Sequence, residues 1–350
     1  MGQKNERPRV TLRHLAQSLH LSPTTVSRAL NGFPEVGEAT RQRVETAARA
    51  LGYLPDRSAR RLANGVAGAF GIVFPASDKR LIDPLFAEFI GGVAEFTARA
   101  EIEITLQAVP PDDELEAYRR AAAQRSVDGF IVSSPYLDDP RIVELSKLNV
   151  PFVVHGRSEV ATSYPCPWLD IANRAGFEHA ARLLANYGHR RIALIGGDRS
   201  QTFARDRYRG LLDGLRASGL GAEAATVHDC PMTEEMGYRM GSGAFDQPRN
   251  ERPTAFLCSS IFIALGVQRA GRERGLYAPG DFSIIAHDDR PPYLRSEFFD
   301  PPLTATQSSI RRAGQRVGEM LQARISGTPA EALQEEWPCD LVLRDSVGRA

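Results

Sequence analysis

The sequence predicts an α/β protein with a small helix-turn-helix head, followed by a larger two-lobed core of parallel sheets flanked by helices. Three observations predict it. The first fifty or so residues carry apolar side chains at helical spacing, broken by turn signals. From Phe70 onward, short apolar runs alternate with longer amphipathic segments. That alternation restarts at Asn173, as it does when one α/β unit follows another. The length of 350 residues suits two or three domains, and 42% hydrophobic with 25% charged residues suits a globular chain.

Composition also excludes several classes. The four cysteines (166, 230, 258 and 339) form no C-x-x-C pair, which disfavours a disulfide scaffold or a structural zinc site. No apolar run approaches a membrane span, and Met1 to Val10 is polar, unlike an export signal, so a cytoplasmic protein is expected. The total charge is zero, yet it is unevenly placed. Residues 1–65 hold 11 basic and 5 acidic side chains, against 32 and 38 in the remainder. A basic head on an acidic body points to a polyanion partner, although a solvated charged surface has the same charge count.

In the head, Thr11 is placed to cap a first helix with Leu12, Leu15, Ala16 and Leu19 on one face. His20-Leu21 reads as a tight turn. Ser22 is a good N-cap, and Pro23 sits where a first-turn proline costs nothing. A second helix then runs through Val26, Ala29 and Leu30 to Asn31-Gly32. A third starts near Thr40, turns Val44, Ala47, Ala48 and Leu51 inward, and stops at Gly52. Thr, Ser and Arg on the outer face of the second helix suit base edges and phosphates in a major groove. Any three-helix mini-domain buries Leu and Ala this way, so periodicity alone leaves a structural head open.

In the core, strands are expected at Phe70–Phe74, Ile102–Ala108, Gly129–Ser133 and Pro151–His155. Helices are expected between them at Leu85–Ala100, Glu114–Gln124 and Pro140–Leu148. After the restart, strands are expected at Arg191–Ile195, Thr226–His228, Thr254–Leu257 and Phe282–Ala286. Helices at Asn173–Tyr187, Arg207–Ser218, Met236–Phe245 and Phe262–Glu273 accompany them. Ligands in such sheets bind beyond the carboxyl ends of the strands.

The stretches TLRHLAQSLHLSPTTVSRALNG and TRQRVETAARALGYLPDRSARRLA resemble the DNA-binding head of the lactose/galactose repressor (LacI/GalR) family, with Thr-Val-Ser-Arg-Ala-Leu-Asn and Leu-Gly-Tyr-x-Pro the most specific pieces. The resemblance implies that Pro23, Thr24, Ser27 and Arg28 lie at groove-reading or phosphate-contacting positions. It extends the DNA-contacting set to Thr11, Ser22, Thr25, Asn31 and Tyr53. His20 stands where the family usually has Gly, at a position expected to need positive φ. Pro23 brings no side-chain donor, so readout there is expected to be apolar.

After Pro55, the run from Asp56 to Ala63 suits a short hinge helix, marginal in water by itself. The resemblance implies that it enters the minor groove with Leu62 as an apolar wedge. Arg57, Ala59 and Arg60 are its further contacts, with Arg57, Arg60 and Arg61 placed to neutralise phosphates. An exposed basic linker is the alternative, and Asp56 replaces the commoner Asn or Ser.

The landmarks DPLFAEF, YGHRRIALIGG, DRYRG, HDD and PPLTAT resemble, in family order, the effector-binding core of the same family, which is similar to periplasmic sugar-binding proteins. The expected organisation is a helix-turn-helix domain over 1–54, a hinge over 55–67 and a periplasmic-binding-protein-like core over 68–350. Lobe one is expected at about 68–187 and 307–335, and lobe two at about 188–304 and 336–350. The crossovers would fall near 187–190 and 304–307, with a helix from Ile310 to Ile325 and a last strand over Leu341–Arg344.

Strand ends nominate Asp83, Phe86, His155, Arg157, Trp168, Asp170, Gln201 and Phe203 as ligand contacts. The resemblance adds Arg207 as the family's ligand-holding Arg and Asp288 as its pocket Asp. Such a pair grips vicinal hydroxyls through charge-assisted hydrogen bonds. Each has a structural alternative: Asp288-Asp289 as a turn, Arg207 as a salt-bridge partner, Trp168 as a core filler. Ile261 stands where many sugar-responsive members carry Asp or Asn.

Enzyme motifs are absent. There is no G-x-S-x-G, H-E-x-x-H or phosphate loop, and Gly241-Ser-Gly243 does not follow a strand. No catalytic residue, metal or cofactor is expected. The expectation is a homodimeric repressor that binds operator DNA and responds to a small effector, a sugar or glycoside. A purine- or nucleoside-responsive repressor and a solute-binding protein without DNA activity are the alternatives.

Overall fold

The computed structural model describes residues 10–30, 33–53, 66–78 and 83–350. The chain divides into two compact units, Met1–Ala67 and Gly68–Ala350.

The first unit is helical, with α1 (Leu12–Ser18), α2 (Pro23–Leu30) and α3 (Glu38–Leu51). Thr11 Oγ1 accepts from His14 N, and Thr11 N donates to His14 Nδ1, closing a reciprocal cap. The turn after α1 places His20 at φ 53°, the left-handed conformation expected of it. Leu21 N donates back to Ala16 O at 3.0 Å, so the chain reverses at once into α2. Ser22 Oγ then accepts from Thr25 N at 3.0 Å, capping α2. Leu15, Ala16, Val26, Ala29, Val44 and Ala48 bury one shared core. The third helix starts at Glu38, two residues before the expected Thr40, with Gly37 as its uncapped N-terminus. Gly52 at φ 64° ends it.

The second unit begins with β1 (Ala69–Pro75), α4 (Pro84–Arg99), β2 (Glu103–Val109) and α5 (Glu114–Ala123). Next come β3 (Gly129–Ser133), α6 (Pro140–Leu148), β4 (Phe152–His155) and β5 (Trp168–Ile171). The chain then builds α7 (Asn173–Asn186), β6 (Ile192–Ile195), α8 (Thr202–Ala217), β7 (Ala225–His228) and α9 (Glu234–Phe245). There follow β8 (Ala255–Cys258), α10 (Ile261–Arg272), β9 (Ser283–Asp288) and β10 (Thr304–Gln307). Last come α11 (Ile310–Ile325), β11 (Gln334–Trp337) and β12 (Asp340–Val342).

Among the described residues these strands make two six-stranded sheets, in the orders β11-β5-β4-β3-β1-β2 and β12-β10-β9-β8-β6-β7. All pairings are parallel except the antiparallel β10–β12 edge. Helices cover both faces, which explains why β1, β3, β6 and β8 are buried at every residue rather than at alternate ones.

The lobe boundaries differ from expectation. Phe177, Ala180, Ala181 and Leu184 of α7 pack with Leu211 and Leu215 of α8 and with Ile192 and Leu194 of β6. α7 therefore belongs to lobe two, and the first crossing lies at 171–173, not 187–190. The second runs from β10 to α11 over 307–310. β5 and β11, neither expected as strands, pair in the first sheet, so the third crossing falls at 337–340. The last strand is Asp340–Val342 rather than Leu341–Arg344.

Glycines set the helix spacing in lobe one. A Cβ on Gly314 of α11 would lie 2.1 Å from Phe89 O of α4. Gly314→Ala is expected to force the two helices apart and cost about 1–3 kcal/mol. Thermal unfolding of the full chain checks this.

The loop after β3 is fastened by a buried ion pair. Arg141 is 2% exposed and Asp139 0%. Arg141 Nη2 donates to Asp139 Oδ2 at 2.6 Å and to Ser133 O and Ser134 O at 3.4 and 3.3 Å. Asp139 Oδ2 also accepts from Tyr136 N at 3.0 Å. This loop meets lobe two directly. Leu137 N donates to Ser200 O at 3.2 Å, and Thr202 N donates to Pro135 O at 3.0 Å.

Candidate functional site

Two regions collect the nominated residues. In the head, Val26 and Ala29 of α2 are buried, while Pro23, Thr24 and Arg28 stand exposed and Ser27 is half-buried. The helix thus keeps one polar ridge outside its apolar face. Ser22 Oγ and Thr25 Oγ1 lie 2.8 Å apart, so both hydroxyls secure the start of the helix. Thr11 caps α1, and Tyr53 packs on the head core. Asn31, Arg57, Ala59, Arg60 and Leu62 lie outside the described residues, as does the expected hinge helix.

In the core, the sheets meet at the carboxyl ends of their strands. Arg207, one and a half turns into α8, is 4% exposed. Its Nε donates to Asn173 Oδ1 at 2.7 Å and its Nη1 to Ser259 O at 2.6 Å. Its guanidinium lies 5.1 Å from the ring centroid of Phe177 and 5.0 Å from that of Phe203. Burial lowers its pKa, and the nearby carboxylate of Asp289 is foremost among the groups that oppose this.

Asp289, not Asp288, is the carboxylate coupled to Arg207. Successive residues of a strand point to opposite faces. Ile285 of β9 packs with α7 and α8, whereas Ile284 and Ala286 pack with α9 and α10. His287 and Asp289 continue the first set and Asp288 the second. The Asp288 carboxylate is spent on its own loop. It accepts from Arg290 N at 2.7 Å, Ser296 N at 3.1 Å and Ser296 Oγ at 2.6 Å. Asp289 sits with its Oδ1 3.4 Å from His287 Nε2. Its pKa is lowered although burial opposes this, chiefly because His287 and Arg207 lie beside it.

The other nominated residues divide. His155 is half-buried and stacks on Phe89 with centroids 4.6 Å apart. Burial pushes its pKa down to about 4, which keeps it neutral near pH 7. Phe86 is buried against Phe74, and Asp83 Oδ1 caps α4 at Leu85 N. Gln201 bridges to Tyr136 through main-chain pairing. Arg157 lies over the Trp168 ring at 5.0 Å. Ile261 is fully buried in the core of lobe two, so it is a packing residue. Asp170 lines a recess of about 390 Å³ with Arg157, Asn173, Arg174, Asp206 and Glu336. Burial pushes the Asp170 carboxyl up to about 7, helped by Asp206 and Glu336. Asn173, Ser259, His287 and Asp289 were missed. Strand parity was the available signal for Asp289.

Among the described residues no helix is long and apolar enough to cross a membrane. Residues 11–56 match the model of bacterial regulatory proteins, lacI family, and residues 181–347 match a periplasmic binding protein-like domain. The chain is 44% identical over 341 residues to the HTH-type transcriptional regulator AglR of Rhizobium meliloti (strain 1021), covering 97% of this chain and 95% of that one. It is similar to the solved complex of the transcriptional regulator CelR with cellobiose: 26% identity, 97% and 100% coverage, TM-score 0.70. It shares its fold with the lac repressor dimer bound to operator and the anti-inducer ONPF: 24% identity, 97% and 99% coverage, TM-score 0.81. A head with a polar ridge on its second helix, a two-lobed core and an end-to-end relative together place this chain in the lacI family of bacterial regulatory proteins, as a helix-turn-helix transcriptional regulator.

Proposed function

We propose that the protein is a cytoplasmic, homodimeric repressor of sugar or glycoside utilisation genes, without catalytic activity or cofactor, whose cleft takes a small effector that alters operator affinity. The observation that carries the effector half is the buried Arg207 held between two phenyl rings beside Asp289. A guanidinium and a carboxylate bind adjacent hydroxyls from both sides, and the half-buried Phe203 ring covers the apolar face of a pyranose. The cellobiose held by CelR and the operator held by the lac repressor dimer support the same reading. Two copies would read a two-fold-related site, with Thr24, Ser27 and Arg28 of each α2 facing the major groove.

A thermal-shift panel of cellobiose, other glucose disaccharides, monosaccharides, hypoxanthine and adenosine tests the effector. A disaccharide is expected to raise the melting temperature. A response to hypoxanthine or adenosine alone would replace the sugar with a purine. Selection of duplexes from genomic fragments tests the head, and failure to retain any duplex at low salt would leave a solute-binding protein. For the selected duplex, Arg28→Ala is expected to lower the slope of log K against log salt by about one. Titration at several salt concentrations reads that slope.

A further inference from the structure

Two of the three chain crossings between the lobes meet one buried group that the site so far leaves unused, and the first reaches it through Cys339. His287 is 0% exposed. Its Nδ1 is 2.9 Å from Thr306 Oγ1 on β10, and its Nε2 is 3.2 Å from Ser308 Oγ in the second crossing. Cys339 Sγ, in the third crossing, lies 3.9 Å from Nδ1. A Cβ on Gly176, in the first turn of α7, would lie 2.6 Å from that same sulfur, so the helix that opens at the first crossing rests on it. The first crossing is tied again through Asn173, which accepts from Arg207. On the cleft side, His287 Nε2 faces Asp289 Oδ1 at 3.4 Å.

We propose that His287 is a positioning residue that holds the cleft carboxylate Asp289 in register with all three interlobe crossings, so that occupancy of the cleft and the angle between the lobes change together. A doubly protonated imidazole donates from both nitrogens at once, to Thr306 on one side and to Asp289 and Ser308 on the other. A neutral ring keeps one donor and one acceptor, and the hydroxyls turn to serve it, but the charge that draws Asp289 to Nε2 is gone. The titratable groups around it come from each packed element: Asp289 beyond β9, Arg207 of α8 and Cys339 of the third crossing. His155 of lobe one reaches Asp289 as a neutral ring. Burial and Arg207 oppose the imidazolium, and Asp289 with Cys339 outweighs them, so the pKa is raised above the ordinary histidine value. A raised folded pKa means the charged form of the Asp289 link is present at low pH and is lost as pH climbs through that value.

This inference rests on the effector reading of the cleft, yet its test uses neither effector nor duplex. A failure here leaves the proposed function standing, and a failed ligand panel leaves this wiring standing. The measurement is amide-exchange protection in the full-length, ligand-free chain at pH 6 and pH 9, corrected for intrinsic rates. Protection at 171–173, 307–310 and 337–340 is expected to fall together by about tenfold at pH 9, with β3 and β8 unchanged. His287→Phe is expected to show the pH 9 pattern at both pH values. Wild-type crossings indifferent to pH, or a pH response that survives in His287→Phe, would overturn the proposal. Should the variant fail to fold, the wild-type titration alone decides.

Discussion

Replacing Arg207 with alanine is expected to weaken binding of the disaccharide found by the thermal-shift panel by about hundredfold, or about 2.7 kcal/mol. Affinity for the selected duplex should stay within about threefold, since the groove-facing residues belong to the head. Truncation removes the guanidinium proposed to hold the ligand and leaves Asn173 Oδ1 and Ser259 O without their donors. It also takes one of two cations from beside Asp289, which raises the cost of that buried carboxylate. Arg207→Lys separates the contributions. A lysine keeps the charge for Asp289 but not the planar fork, nor its stacking between Phe177 and Phe203. Binding by the Lys variant should fall between the two, nearer to alanine if the fork carries recognition. Calorimetric titration checks both variants, and unchanged affinity in Arg207→Ala would remove Arg207 from the site.

The second large effect lies outside the cleft. Asp139→Ala is expected to destabilise the core by about 3–5 kcal/mol, because it removes the main partner of the buried Arg141 guanidinium and leaves only Glu114, 3.5 Å from Nη1, to balance its charge. Burial opposes the charge on Arg141, and the hydrogen bonds and field of Asp139 more than offset it. The variant also frees Tyr136 N, so the loop that touches lobe two loosens. The double change Asp139→Ala with Arg141→Met should recover most of the loss, since an apolar chain needs no counter-charge. Chemical denaturation of wild type, both single variants and the double variant completes the cycle. A double variant no better than Asp139→Ala would show that the ion pair is not the source of the loss.

Much of this was legible in the sequence where the signal is local. Ser22 and Pro23 announce the start of α2, and His20 announces the left-handed turn before it, because capping and backbone sterics act within a few residues. The repeated apolar runs announce two covered parallel sheets for the same reason. What failed depends on distant partners. The apolar stripe of α7 says that it packs, not against which sheet, so the first crossing was misplaced. β11 reads Gln-Glu-Glu-Trp, an edge strand with one neighbour and half its side chains in water, which leaves no apolar run to find. Asp288 and Asp289 are chemically identical, and only the face of β9 that meets α8 separates them. Ile261 stands at the expected polar position but opens α10 with its side chain in the interior.

The main-chain contacts between Pro135–Leu137 and Ser200–Thr202 carry one more consequence. Peptide groups hold that rim of the cleft, and peptide groups are the same whatever residue bears them. A change of side chain at Gln201 thus leaves these main-chain bonds of the seam in place. Inheritance of the interlobe seam and diversification of what the cleft binds become separable, and a gene duplicate of this protein has room to acquire a different effector in few steps.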